Sequence, residues 1–279
     1  MQKYSIRQIF KRVAMSALEY GNSFPTPMTD RAAVQSLIRR LWPKVPEKGL
    51  IRLGPMGDGG YLVPNDLSGI EACFSPGVSL VSGFEKDCAD LGLKVYLADK
   101  SVDGPPDQHE LFHFTKKYIG VTSNADFMTI DDWVASSLPN SRADLILQID
   151  IEGYEYETFL GISHGLMQRL RIIVAEFHGL DQLWNKPFFQ VASRALDKIL
   201  QTHTCVHIHP NNFFAPLKKG GLSIPPVLEF TFIRNDRVSS PSFACRFPNE
   251  LDSDNTDNVH YALPECWHAG ARHGGPAGT

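Results

Sequence analysis

Apolar positions along the chain change their spacing twice. Before residue 45 they recur at helical intervals: Ile6, Ile9, Phe10, Val13 and Leu18 share one face, with Lys3, Arg7, Lys11 and Arg12 mostly elsewhere. Phe24-Pro25-Thr26-Pro27 breaks that pattern, and residues 30–42 resume it until Pro43 stops it. Residues 50–63 instead form two short apolar runs around Gly54-Pro55-Met56-Gly57-Asp58-Gly59, which predicts a β-hairpin of residues 50–53 against 60–63.

From residue 71 short apolar runs alternate with helical stretches. Strands are predicted at 71–78, 94–99, within 110–120, and at 144–150, 171–177, 204–209 and 227–233. Helices are predicted at 83–92, 129–138, 154–170, and from Pro187 to about 203. Thr129-Ile130-Asp131-Asp132 resembles a capping box with Asp in place of Glu. Strand–helix alternation with short connections implies a parallel sheet covered on both faces. Residues 210–226 join the last two strands without a helix, so the final strand is expected to insert antiparallel. The expected α/β fold is a seven-stranded, mostly parallel sheet with an N-terminal helical and β-hairpin extension. Residues 1–49 form the helical extension, 50–240 the main domain with its leading hairpin, and 241–279 a C-terminal extension with a mobile tail.

Composition narrows the setting. With 43% hydrophobic residues among 279, the chain can bury a full core. A net charge of −4 gives no bulk attraction for nucleic acid. Five scattered cysteines without CxxC spacing point to reduced thiols and a cytoplasmic setting, not a disulfide framework or zinc site. No apolar run approaches the roughly 20 residues of a membrane span, and no signal peptide is evident. The basic amphipathic stretch 3–20 suits a helix packed on the domain or on a second subunit of a homo-oligomer; the alternative is peripheral contact with the inner face of a membrane.

Candidate chemistry gathers at the carboxyl ends of the predicted strands, where open α/β sheets bind ligands. The first strand runs into Ser75-Pro76-Gly77, where a glycine allows close approach to the backbone, although GxGxxG is absent. The second ends at Asp99-Lys100-Ser101, and an acid there suits the two ribose hydroxyls of a nucleoside cofactor. The fourth delivers Asp150-Ile151-Glu152-Gly153. Asp150 suits a cofactor amino group, a divalent metal (Mg²⁺ or Mn²⁺), or the proton of an acceptor hydroxyl. Glu176 and His178 alternate at the end of the fifth strand, and His207 and His209 at the end of the sixth. Asp150, Glu176 and His178 form an oxygen-rich metal candidate; Asp150, His178 and His209 are the catalytic candidates. The hairpin loop adds Asp58, Gly59 and Gly60. Trp184, Phe213, Phe214 and Trp267 offer aromatic faces to a sugar, although packing is the commoner role of such residues.

Asp150-Ile151-Glu152-Gly153-Tyr154-Glu155 resembles the Asp-[Val/Ile]-Glu-Gly-x-Glu motif of the FkbM-type S-adenosylmethionine-dependent methyltransferases. A branch of that family is also similar at Asp58-Gly59-Gly60-Tyr61, Ser75-Pro76-Gly77-Val78, Phe84-Glu85 and Glu176-Phe177-His178, so the resemblance covers about residues 50–235. Many relatives carry Asp-x-Gly-Ala-Asn-x-Gly at the first turn, where this chain has Ser75-Pro76-Gly77-Val78. The resemblance implies a class I methyltransferase, Rossmann-like sheet, and S-adenosylmethionine held by Asp58, Gly59, Gly60, Ser75, Pro76, Gly77, Glu85, Asp99, Ser101 and Asp150. It also implies methyl transfer to a hydroxyl, commonly of a sugar or glycoconjugate acceptor. Two alternatives stand beside it: a metal-dependent enzyme on the same fold, or a non-catalytic scaffold that binds glycan or protein.

Overall fold

A computed structural model describes residues 25–78 and 81–270. The predicted amphipathic stretch 3–20 and the tail 271–279 lie outside the described residues. Helix α1 (Arg31–Arg40) starts at Asp30, whose side chain accepts from the backbone N–H of Ala32 and Ala33. The hairpin follows, as β1 (Leu50–Leu53) paired antiparallel with β2 (Tyr61–Pro64). Then come β3 (Ile70–Pro76), α2 (Gly83–Asp90), β4 (Lys94–Ala98), β5 (Phe112–Thr115), β6 (Tyr118–Ile119), β7 (Phe127–Met128), α3 (Ile130–Ser137) and β8 (Asp144–Ile149). The rest comprises α4 (Glu155–Gly161), α5 (His164–Met167), β9 (Leu170–Phe177), α6 (Lys186–Thr202), β10 (His203–Pro210), β11 (Leu217–Lys219), β12 (Leu222–Ile224) and β13 (Leu228–Arg234).

The central sheet has seven strands in the order β10-β13-β9-β8-β3-β4-β5. Strand β13 runs antiparallel to both neighbours, and the other six are parallel to one another. This is the expected mixed α/β arrangement, with the reversed strand one place in from an edge. Strand β13 reverses because residues 211–227 contain only a short β11–β12 hairpin and no crossover helix.

Two expectations need correction. The single helix predicted over 154–170 is two helices, α4 and α5, divided at Ile162-Ser163. Ser163 caps α5 through its side chain, and a capping serine after Gly161 is a stop-and-restart signal. The connection 210–226, in which the sequence pattern places no element, contains the paired strands β11 and β12.

Side chains alternate across the sheet and build a core on each face. Phe74, Leu147, Ile149, Ile173 and Phe177 meet α1, α3, α4 and α6. Phe74 stacks on Tyr96 at 4.7 Å and meets Trp133 edge-on. Cys73, Ile146, Ile172 and Val174 face the hairpin and α2. Each fully buried large apolar side chain contributes about 1.5–3 kcal/mol. Continuing the second face towards the strand ends, the alternation reaches Ser75, Gln148, Glu176 and Thr231, all buried. Thr231 donates to the carbonyl of Leu62 at 2.6 Å, fastening the hairpin over this row. The apolar face therefore turns polar beneath a lid, at the ligand-binding edge of the sheet. Among the described residues, no helix is long and apolar enough to cross a membrane.

Candidate functional site

The stretch after β8 is shaped by one buried side chain. Glu155, fully buried at the start of α4, accepts from the backbone N–H of Ile151 at 3.1 Å and of Gly153 at 3.0 Å. Between these bonds the chain turns through two left-handed residues, Glu152 (φ 55°) and Gly153 (φ 102°). A positive φ at a residue with a side chain costs of order 1–3 kcal/mol, so the turn depends on Glu155. The same Oε1 lies 3.2 Å from Nδ1 of His178. The Tyr156 hydroxyl donates to the carbonyl of His178 at 2.9 Å and holds its backbone from the other side.

Nε2 of His178 consequently faces three more carboxylates: Glu176 at 3.4 Å, Glu152 at 3.5 Å and Asp150 at 4.0 Å. Asp150, Glu176 and His178 each offer one ligand atom, all within 4.8 Å of one another. Among the described residues, the buried oxygens Oδ1 of Asp150 and Oε2 of Glu176 have no hydrogen-bond partner. Burial pushes the Asp150 carboxyl up to about 7; the His178 charge opposes this, while Glu152, Glu155 and Asp58 reinforce it. Glu176 is held well above the usual carboxylate range by burial and then by Asp150 and Glu229. For His178 burial acts downward, but the Glu155 hydrogen bond and the surrounding acids prevail, so its pKa is raised.

A second layer extends across the sheet, where His209, Glu229 and Glu176 are direct cross-strand partners on β10, β13 and β9. Like charges directly opposite one another are unfavourable, and Glu229, like Glu176, is raised, first by its burial. Residues 249–256 return over this row. Asn255 donates to Glu229 at 2.6 Å and to Asp58 of the hairpin loop at 3.3 Å. Asp252 sits 2.9 Å from Nε2 of His207 and 3.6 Å from Nδ1 of His209. The spacing of apolar residues carried no sign of Asp252 or Asn255, because this segment is irregular. Glu155 stood within the quoted motif, yet only its burial reveals what it does.

Beside the carboxylate group lies a cavity of about 270 Å³, lined by Asp58, Gly59, Tyr61, Gly77, Val78, Val81, Glu85, Gln148 and Asp150. Five of the ten cofactor candidates therefore share one cavity: Asp58, Gly59, Gly77, Glu85 and Asp150. The others are placed differently. Ser75 is fully buried and donates to Glu85, with Gln148 beside it. Pro76 is the buried last residue of β3. Gly60 packs against Pro55, whose carbonyl would sit 2.0 Å from an added Cβ. Asp99 accepts from the N–H and the hydroxyl of Ser101, both at 2.7 Å, closing a turn at the end of β4. Gly77 is needed for close approach, though the group approaching is internal: a Cβ there would lie 1.7 Å from the carbonyl oxygen of Asp150. Glycine thus lets the ends of β3 and β8 touch. The Glu85 carboxyl is pushed up to about 7 by burial, with the Ser75 bond opposing.

The aromatic candidates divide. Trp184 and Trp267 are buried, and Trp267 donates to the Ser223 carbonyl at 3.1 Å. Phe213 and Phe214, in edge contact just past β10, are more than half exposed.

Residues 75–204 match the family model of the methyltransferase FkbM domain. No curated protein matches the chain. Among solved structures, the chain is similar to a protein of Anabaena variabilis ATCC 29413 described as a candidate methyltransferase from an antibiotic biosynthesis pathway. The identity is 15% over 53% of this chain and 60% of that one, with a TM-score of 0.26. This chain thus spans less than two thirds of that protein's length.

Proposed function

With residues 75–204 forming a methyltransferase FkbM domain, we propose that the protein transfers a methyl group from S-adenosylmethionine to a hydroxyl of a sugar or glycoconjugate. The observation that carries this reading is the junction of the cavity with the Asp150–Glu176–His178 group, since Asp150 belongs to both. Asp58, Gly59, Gly77, Glu85 and Asp150 would hold a nucleoside cofactor in the cavity, and Glu176 and His178 would face the acceptor.

S-adenosylmethionine, when bound, would supply an electrophilic methyl group: a carbon–oxygen bond would form as the carbon–sulfur bond breaks, its electron pair staying on sulfur, to give a methyl ether and a thioether. The Asp150–Glu176–His178 group would take the hydroxyl proton. A base with a pKa near the working pH serves such a transfer well, and the carboxyl of Asp150 lies at about 7. Most of the remaining acceleration comes from alignment of oxygen, carbon and sulfur. The exposed Phe213–Phe214 pair supplies apolar faces of the kind that stack on sugar rings.

Titration calorimetry with S-adenosylhomocysteine tests the reading. Saturable binding is expected, weakened in Gly77→Ala, where the new Cβ meets the Asp150 carbonyl. Absence of binding at millimolar ligand by the folded wild-type protein would remove it.

A further inference from the structure

Among the described residues, the carboxylates beside the cavity outnumber the cationic side chains that face them. Glu155, Glu176 and Glu229 are buried, and Asp150 keeps only 26% of its side chain exposed. Among the described residues, their ion pairs to a cationic side chain all go to His178, and none goes to lysine or arginine. Arg52 acts on Glu229 and Asp252 through its charge alone, because its guanidinium donates to the carbonyls of Pro55, Gly57 and Leu251. Glu176 is 4% exposed, and one of its oxygens has no hydrogen-bond partner among the described residues. The unpartnered Oδ1 of Asp150 points to Nε2 of His178, 4.0 Å away.

We propose that Asp150, Glu176 and His178 bind a divalent cation of the Mg²⁺ or Mn²⁺ class. Three features select that ligand. Two carboxylate oxygens and one imidazole are an oxygen-rich donor set, suited to Mg²⁺ or Mn²⁺, whereas a structural zinc site takes four ligands. The three donor atoms already lie within 4.8 Å of one another, and ligands on one such ion stand roughly 3–4 Å apart, so a small contraction completes the set. The histidine is prepared as a ligand. A hydrogen bond from Nδ1 to Glu155 leaves the lone pair of Nε2 directed at the two acids, the outer-shell arrangement typical of metal-binding histidines. Three protein ligands would leave positions open for water or for acceptor oxygens. On the methyl-transfer reading, which this role rests on, a cation here would hold the acceptor hydroxyl and lower its pKa, and the hydroxyl proton would then leave to solvent water instead of to the three ligands.

The experiment uses Mn²⁺ alone, followed by electron paramagnetic resonance of the free ion, on the full chain treated with chelator and then desalted. One site per chain is expected. Glu155→Gln, which removes the charge behind His178 but keeps an acceptor for the loop, should weaken binding about tenfold. Glu176→Gln should weaken it further. Asp66→Asn, at the far end of the sheet, should leave it unchanged. Thermal melts establish that each variant is folded. No binding by the folded wild type at millimolar Mn²⁺, or binding unaltered in Glu176→Gln, overturns the proposal. Calorimetry with S-adenosylhomocysteine in chelator separates the two readings. Nucleoside binding without Mn²⁺ binding removes the cation and leaves methyl transfer; Mn²⁺ binding without nucleoside binding does the reverse.

Discussion

At one end of β8, β9 and β13 stand Asp144, Arg171 and Arg234; at the other stand Asp150, Glu176 and Glu229. The first group is paired at every turn. Asp144 accepts from Arg171 at 2.7 Å and from Arg234 at 2.6 and 3.0 Å. Asp66 nearby accepts from Arg237 at 2.7 and 2.8 Å and from Lys48 at 2.6 Å. Both of these acids lie below the usual range, Asp66 at about 2, with the Arg237 hydrogen bond the largest cause. The acids at the opposite end share two histidines and lie above the usual range, chiefly through burial. The same residue types on the same strands are therefore held in opposite states. A structural cluster brings its own counter-charge, whereas a binding site leaves the counter-charge to the ligand.

The largest expected break in this contrast is Asp150→Asn. Losing a group that acts on the reacting centre should lower methyl transfer about 1000-fold, on the scale of about 4 kcal/mol in the barrier. The folded state should survive, because one uncompensated acid has been removed; turnover of S-adenosylmethionine and a urea melt check the two parts.

Glu85 and Asp66 give the pH signature. The Glu85 carboxyl moves from 4.5 to about 7 on folding, so the folded chain keeps a proton that the unfolded chain has released. Stability from this residue is present below pH 4.5 and is lost as pH rises through 7. Glu85→Gln retains a partner for Ser75 and should raise stability above pH 7 by roughly 3 kcal/mol, with little change near pH 4. Asp66 moves from 3.8 to about 2, so its contribution is present above 3.8 and lost as pH falls through 2. Asp66→Asn should cost roughly 2 kcal/mol at neutral pH, moderated by the partial exposure of Arg237, and the cost should fade near pH 2. Urea melts of both variants across this range test the mirror-image behaviour.

The smallest expected effect sharpens the comparison inside the site. Glu155→Gln should lower turnover about tenfold with little change in KM for S-adenosylmethionine. Its acid limb should move to lower pH, because Glu155 holds the His178 pKa up. A pH–rate profile distinguishes this from simple destabilisation, which would leave the limb in place.

The sequence made one of these two ends far more legible than the other. Asp150, Glu176 and His178 sit where apolar runs stop, so strand periodicity brought them to one edge, and the reversed β13 followed from the missing crossover helix. Pairing at the other end is not legible in the sequence, because Arg237 is far in the chain from Asp66 and Lys48 and all three lie outside any periodic run. Asp252 and Asn255 were hidden for the same reason. A glycine at position 77 suggests room for a ligand; its neighbour is the carbonyl of Asp150, a contact between the ends of adjacent strands that local pattern does not encode. For Asp99 and Ser101, position at a strand end was visible, but their mutual hydrogen bonds depend on turn geometry.

The reversed direction of β13 has a mechanical consequence. That strand starts at the acidic edge and finishes among the arginines, so the chain leaves the sheet at the end remote from the cavity. It is moored there by Arg237 on Asp66 and by Ser239 and Ser242 against Glu47 and Val45. The chain then travels back to set Asp252 and Asn255 over the histidines and Glu229. Residues 239–251 thus act as a tether whose two moorings lie at opposite poles of the molecule. A single proteolytic nick within it would leave every strand of the sheet in place, and the cover would still be held beyond the cut by Asn212 on Thr256 and Asn258 and by buried Trp267.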